Sequence, residues 1–213
     1  MAPVTHTYDP PERFVAGTVG EPGARTFFLQ ARTGTRITSV ALEKQQVQIL
    51  GERVDELLDE VIASSDDTGH VGDAVDTVVP AVTPRELEDD HPLEQPIDEE
   101  FRVGTMTLSW EPEDARVVLE IFSVAETTVT VVDEPDEALA GDDEVEVEVE
   151  VEEAEPEELL LVRLTPGQAR AFASRSAKVV SAGRAACPFC GEPMDASGHL
   201  CVRANGFRRS GGR

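Results

Sequence analysis

Phe14-Val-Ala-Gly-Thr-Val-Gly20, a turn at Glu21-Pro-Gly23, Thr26-Phe-Phe-Leu-Gln-Ala31, a second turn at Gly34 and Arg36-Ile-Thr-Ser-Val-Ala41 decide the fold. Each run is rich in β-branched and aromatic residues and is bounded by Gly or Pro, which predicts three short strands. Turns this short join antiparallel neighbours. A helix is expected next, from about Glu43 to Ala63. There Val47, Leu50, Val54, Leu57, Leu58 and Val61 recur at steps of three and four, giving one apolar stripe.

The same order of elements returns later in the chain. Phe101-Arg-Val-Gly-Thr-Met-Thr-Leu-Ser-Trp110 leads through Glu111-Pro-Glu-Asp114 into Arg116-Val-Val-Leu-Glu-Ile-Phe122, and Leu159-Leu-Leu-Val-Arg-Leu164 supplies a third strand. A helix over about 166–181 then buries Ala169, Phe172, Ala173, Ser176, Val179 and Val180. Thr165 is its N-cap, Pro166 occupies the first helical position, Gln168 completes a capping box and Gly183 stops it. The two passages overlay: Phe14-x-x-Gly-Thr matches Phe101-x-x-Gly-Thr, and Leu42-x-x-x-Gln46 matches Leu164-x-x-x-Gln168. The expected class is α+β, two β-β-β-α units with mainly antiparallel sheet, plus a C-terminal zinc knuckle. Neither unit alone buries enough surface, so the two are expected to share a core. The body is placed at 1–183, with units at about 12–63 and 101–183, and the knuckle with its basic tail at 184–213.

A long connection over 64–100 is polar, with one short strand expected near Val75–Val82. An acidic insert over 133–158 carries 15 Asp and Glu and no basic residue. Val145, Val147, Val149 and Val151 alternate with glutamates there, which predicts an edge strand inside a solvated loop. Formal net charge is -25, divided unevenly: residues 1–158 hold 41 acidic and 9 basic side chains, residues 159–213 only 2 and 9. Most of the molecule would therefore repel nucleic acid and anionic membrane, while the last quarter would not. No run of 18 apolar residues predicts a membrane span, and the first residues lack the charged and apolar regions of a signal peptide.

Three cysteines lie within 15 residues of one another with a histidine among them, the arithmetic of a metal site in a reducing compartment, here the cytoplasm. Cys187 and Cys190 are spaced so that one tight turn, stiffened by Pro188, points both thiolates at one ion. His199 and Cys201 then close the loop. Four protein ligands leave no open position, so a structural zinc is expected, supplying much of the folding free energy of a tail with few large apolar residues. Two alternatives stand beside it. Cys-Pro-Phe-Cys also suits a redox dithiol, although such a pair usually follows a strand and opens a helix. If His199 does not ligate, the site keeps an open position.

Around this knuckle Arg184, Arg203, Arg208 and Arg209, with Phe207, form a candidate contact patch for an acidic protein or a nucleic acid: arginine forks bind carboxylate or phosphate, and Phe207 could stack on a base. Gly17, Gly20 and Gly23 lie within strands and turns and read as turn chemistry rather than as a phosphate loop, and Trp110 reads as a core or rim aromatic. His6, His70 and His91 have no ligand spacing to one another. Folding could still bring His70 or His91 to Asp66, Asp67, Glu88, Asp89 or Asp90 and make a hydrolytic or second metal site.

Asp9-Pro-Pro-Glu-Arg-Phe-Val-Ala-Gly-Thr-Val-Gly20, Arg25-Thr-Phe-Phe-Leu-Gln-Ala-Arg32 and Cys187-Pro-Phe-Cys-Gly191 with His199-x-Cys201-x-Arg-Ala-Asn-Gly-Phe-Arg-Arg209 resemble DUF3090, an actinobacterial family of unknown function. The resemblance covers nearly the whole chain apart from the acidic tract. It implies an actinobacterial cytoplasmic protein of about this length and implies no activity. The leading expectation is therefore an interaction or adaptor protein with a zinc-organised basic tip. The alternative is a hydrolase of phosphorylated or nucleotide-like substrates, its phosphate held by Arg13, Arg25, Arg32 or Arg36 between the two units.

Overall fold

The computed structural model describes residues 3–68, 79–125, 127–131, 149–182, 187–190, 194, 201 and 203. The first quoted passage forms strands β2 (Arg13–Val19), β3 (Thr26–Thr33) and β4 (Arg36–Leu42), preceded by a short strand β1 (Val4–Tyr8) and followed by helix α1 (Lys44–Thr68). The second forms β5 (Glu99–Glu111), β6 (Arg116–Ser123), β9 (Glu158–Leu164) and helix α2 (Pro166–Ser181). Between β6 and β9, strands β7 (Thr127–Val131) and β8 (Val149–Glu153) pair with each other. The expected acidic-insert strand is thus realised at Val149–Glu153, while Val145 and Val147 lie outside the described residues. So do 75–78 of the expected strand in the connection, and residues 79–82 are not strand.

All three strands of each unit share one mixed seven-stranded sheet, ordered β1-β9-β6-β5-β4-β3-β2. Pairing is antiparallel within each unit and parallel at β4–β5, where they join. The fold is α+β, mainly antiparallel, as the sequence predicts. β1 was not expected; it adds to the outer edge of β9 in parallel, opposite a strand more than 150 residues away. The sheet curls enough for the end of β1 to reach β4: Tyr8 Oη lies 2.8 Å from Thr38 Oγ1. Arg36 donates to the Thr7 carbonyl and stands 4.2 Å over the Tyr8 ring.

Burial follows the residue pattern. β6 alternates strictly between buried and half-buried, as a strand with one covered face must. β2, β3 and β4 instead read as near-continuous apolar runs, because both faces are covered. One face supplies Phe14, Ala16, Phe27, Leu29, Val40 and Leu42 to the main core with both helices. The other packs Val15, Phe28 and Ala41 under Leu93 of the connection. Gln30, 1% exposed, fastens that connection: it donates to the Glu94 carbonyl at 3.1 Å and accepts from the Glu94 amide at 2.8 Å. Gly17 lies within β2, and a Cβ there would stand 2.5 Å from Leu93 Cγ.

Both helices start the same way and tie the units to each other. In α2 the capping box is complete, Thr165 accepting from the Gln168 amide, and Gln168 Nε2 donates across to the Pro11 carbonyl ahead of β2 at 2.7 Å. In α1 Gln46 accepts from the Glu43 amide at 2.8 Å and donates to the Val103 and Gly104 carbonyls of β5. Gln46 thus bonds the leading strand of the second unit, and Gln168 the residue that leads into β2. α1 and α2 pack side by side, and Phe172 of α2 meets Phe14 of β2 with ring centroids 4.8 Å apart. The predicted stripes hold over most of their length: Val47, Leu50, Val54 and Leu58 are buried on α1, and Ala169, Phe172, Ala173 and Ser176 on α2, whereas Leu57, Val61, Val179 and Val180 are half-buried. Helical periodicity did not predict burial of Arg170 and Arg175 on α2.

Candidate metal centre

Cys187-Pro-Phe-Cys190 forms the tight turn that its spacing requires, and Cys201 returns to it. All three Sγ atoms lie within 4.8 Å of one another, and no disulfide joins them. Thiolates sharing one tetrahedral zinc at about 2.3 Å stand about 3.8 Å apart, so small side-chain adjustments close the site. Cys187 and Cys201 are buried and Cys190 is half-buried. Phe189, between the paired cysteines, is 64% exposed. Arg203 is exposed and donates through Nη1 to the Phe189 carbonyl at 3.3 Å, linking the arginine after Cys201 to the Cys-x-x-Cys turn. The three sulfurs could hold a metal ion. The fourth predicted ligand, His199, lies outside the described residues, as do Gly183, Arg184, Phe207, Arg208 and Arg209.

The four arginines proposed for phosphate separate into different settings. Arg25 donates to the Ala182 carbonyl at the end of α2, and Arg36 serves β1. Arg13 and Arg32 do meet in a cleft of about 290 Å³, together with Arg175, Asp89, Glu12, Glu86 and Glu88. Most of their donors are committed to the protein; Arg13 Nη1 is buried without a hydrogen bond and has only an ion-pair contact with Glu94 at 3.6 Å. Arg13 bonds Asp89 at 2.5 Å and the carbonyls of His91 and Pro92. Arg175 donates to the carbonyls of Ala16, Asp89 and His91 and to Asp89 Oδ1. Arg32 pairs with Glu12 at 2.6 Å and Glu94 at 2.8 Å. Burial raises the Asp89 carboxyl, but hydrogen bonds from Arg13 and the His91 amide and the charges of Arg13 and Arg175 hold it below its ordinary value. Arg175 is lowered chiefly by burial, with the Arg13 charge adding to the effect against the opposing pull of Asp89. The cleft is a clamp that seats residues 89–92 on β2 and α2.

His91 enters that clamp through its backbone, its amide donating to Asp89 Oδ1 at 2.8 Å, and the described residues show no metal grouping around it. His70 lies outside the described residues. Among the described residues, the histidine whose side chain folding brings to carboxylates is His6. Its Nε2 is 3.1 Å from Glu158 Oε2 and 3.8 Å from Glu100 Oε1. Nothing local in the sequence announces this grouping, because it depends on β1 pairing with β9. Trp110 is half-buried and packs on the main core, as expected.

Among the described residues no helix is long and apolar enough to cross a membrane. A family model described as a protein of unknown function, DUF3090, matches residues 6–201, and the chain belongs to that family. The matched span contains all three cysteines. No curated protein and no solved structure matches the chain.

Proposed function

We propose that this DUF3090 protein is an interaction module, in which a structural zinc bound by Cys187, Cys190, His199 and Cys201 organises a basic tip that contacts an anionic partner, a protein surface or a nucleic acid, in the reducing cytoplasm. The observation that carries the reading is the convergence of three sulfurs within 4.8 Å, two of them buried. A closed set of four ligands suits a structural role, since catalytic zinc keeps one position open. The exposed Phe189 and Arg203 beside the sulfurs give the tip an aromatic and a cationic contact, and Arg184, Phe207, Arg208 and Arg209 extend it in sequence. Against an acidic body, such a tip orients an anionic partner toward one end.

The rival reading, hydrolysis of a phosphorylated substrate, has the gathering of Arg13, Arg32 and Arg175 in its favour. The bonds those guanidiniums already make to Asp89, Glu12, Glu94 and backbone carbonyls weigh against it.

The adaptor reading is tested by fluorescence anisotropy with single-stranded RNA and duplex DNA, and by capture of partners from native lysate, using the intact zinc-loaded chain. Arg208→Ala with Arg209→Ala should remove whichever interaction is found, and a zinc chelator should do the same. Retention of every interaction by the double variant and by the chelated protein refutes a tip contact.

A further inference from the structure

We propose that His6, Glu100 and Glu158 form a second metal site, one that takes a first-row divalent cation through an imidazole nitrogen and two carboxylate oxygens. The three side chains come from three strands of the same sheet, β1, β5 and β9, and their ligand atoms all lie within 4.8 Å of one another. The register of β1 against β9 brings two of the three together. Val4 stands opposite Glu158 and His6 opposite Leu160, so His6 and Glu158 are diagonal neighbours on adjoining parallel strands. Ser123 Oγ accepts from both the Glu157 and Glu158 amides at 3.1 Å and fixes the backbone that carries Glu158.

What singles out this cluster is the absence of arginine. At three other places among the described residues, converging carboxylates share a guanidinium: Asp55 and Asp59 meet on Arg170, Asp9, Glu111 and Asp114 on Arg163, and Glu12 and Glu94 on Arg32. Glu100 and Glu158 converge on His6, and among the described residues no arginine is paired with either. Two carboxylates held this close repel unless a cation lies between them, and the imidazole nitrogen completes a donor set for one. Ligands about 2.1 Å from a first-row ion stand about 3.0 to 3.4 Å apart. The observed 3.1 and 3.8 Å need only a small rotation of the Glu100 side chain. Mixed imidazole and carboxylate donors suit Mn²⁺, Fe²⁺ or Zn²⁺, in contrast to the sulfur-rich tail. His6, Glu158 and Glu100 are 20%, 27% and 45% exposed, which leaves a solvent-facing side for entry and for further ligands. With three protein ligands the ion keeps open positions, unlike the closed site proposed for the tail.

Mn²⁺ is the probe of choice, because a hard ion avoids the thiolates and so does not report on the tail. The full zinc-loaded chain is titrated with Mn²⁺ in about 0.3 M salt, which screens diffuse attraction to the acidic surface, and free Mn²⁺ is read by its electron paramagnetic resonance signal. One saturable site per chain is expected. His6→Ala and Glu100→Gln should each weaken it by about tenfold or more, while Glu52→Gln on α1 leaves it unchanged. Glu100 is an exposed residue, so its variant stands even if His6→Ala fails to fold. Wild-type affinity in Glu100→Gln, equal weakening in Glu52→Gln, or no saturable site in the parent chain would each overturn the proposal.

Discussion

Replacing Arg175 with Met tests whether the arginine cleft is a clamp or an anion site. The side chain is 10% exposed and makes four hydrogen bonds, to the carbonyls of Ala16, Asp89 and His91 and to the Asp89 carboxylate. Methionine keeps most of the stem and its packing but supplies no donor. Breaking a buried charged pair from one side costs about 3–5 kcal/mol, and each buried carbonyl left without a donor contributes about 1–3 kcal/mol of that. Asp89 is 24% exposed and keeps its bond from Arg13, and the His91 carbonyl keeps Arg13 as a donor, so the lower end, about 3 kcal/mol, is expected. Urea unfolding monitored by circular dichroism should show a lower midpoint with an unchanged slope. Arg175→Lys should fall between the two, because one ammonium cannot reach all four acceptors. Inorganic phosphate should leave the parent midpoint unmoved, since a ligand stabilises only a site that binds it. A loss below about 1 kcal/mol, or a phosphate-dependent rise that Arg175→Met abolishes, would refute the clamp and restore the hydrolase reading.

Asp89 should give this clamp a pH signature. Its folded-state value lies below the ordinary 3.8, so its contribution is full above that value and is lost as pH falls through the lower folded one. The stability gap between the parent chain and Asp89→Asn should be constant near neutrality and shrink in acid; a gap that widens on acidification contradicts the assignment. Gly17→Ala should cost about 1–3 kcal/mol by overpacking, and Leu93→Ala should relieve part of it, because the obstacle is that side chain. Gly104→Ala should not be relieved in this way, since its Cβ would meet the Ser123 carbonyl at 2.9 Å, and calorimetric midpoints of the three variants check both statements. Gln168→Ala should lower stability by about 1 kcal/mol, read by urea unfolding, as the Thr165 amide and the Pro11 carbonyl both lose a partner.

The six strands of the two units and both helices were legible because their signals are local: β-branched runs between Gly and Pro, an apolar stripe, a Thr165–Gln168 box. The two glutamines matched in the overlay also turn out to make equivalent bonds. β1 was not legible. Five residues with one large aliphatic give no periodic signal, and the strand exists because it pairs with β9 across the length of the chain. The same non-local pairing explains the histidines. Nearness in sequence pointed to His70 and His91 and their acidic neighbours, whereas among the described residues the carboxylates that meet a histidine side chain belong to Glu100 and Glu158. Arg170 and Arg175 would be solvent-facing by helical periodicity alone; their burial rests on Asp55 and Asp59 of α1 and on the loop at 89–92. The cysteine trio was legible for the opposite reason, because a Cys-x-x-Cys turn and a third thiol a few residues on are brought together by short-range chain geometry.

The claim that a metal organises the tail is tested most directly by the zinc content of purified, reduced, full-length protein beside Cys190→Ser. Zinc able to occupy the His6 site is common to both proteins, so the difference between them isolates the tail. The account predicts about one more zinc per chain in the parent than in the variant, with residues 184–209 becoming protease-sensitive in the variant while the α+β body persists. Equal zinc in both proteins, with the parent fully folded and its thiols reduced, would contradict it.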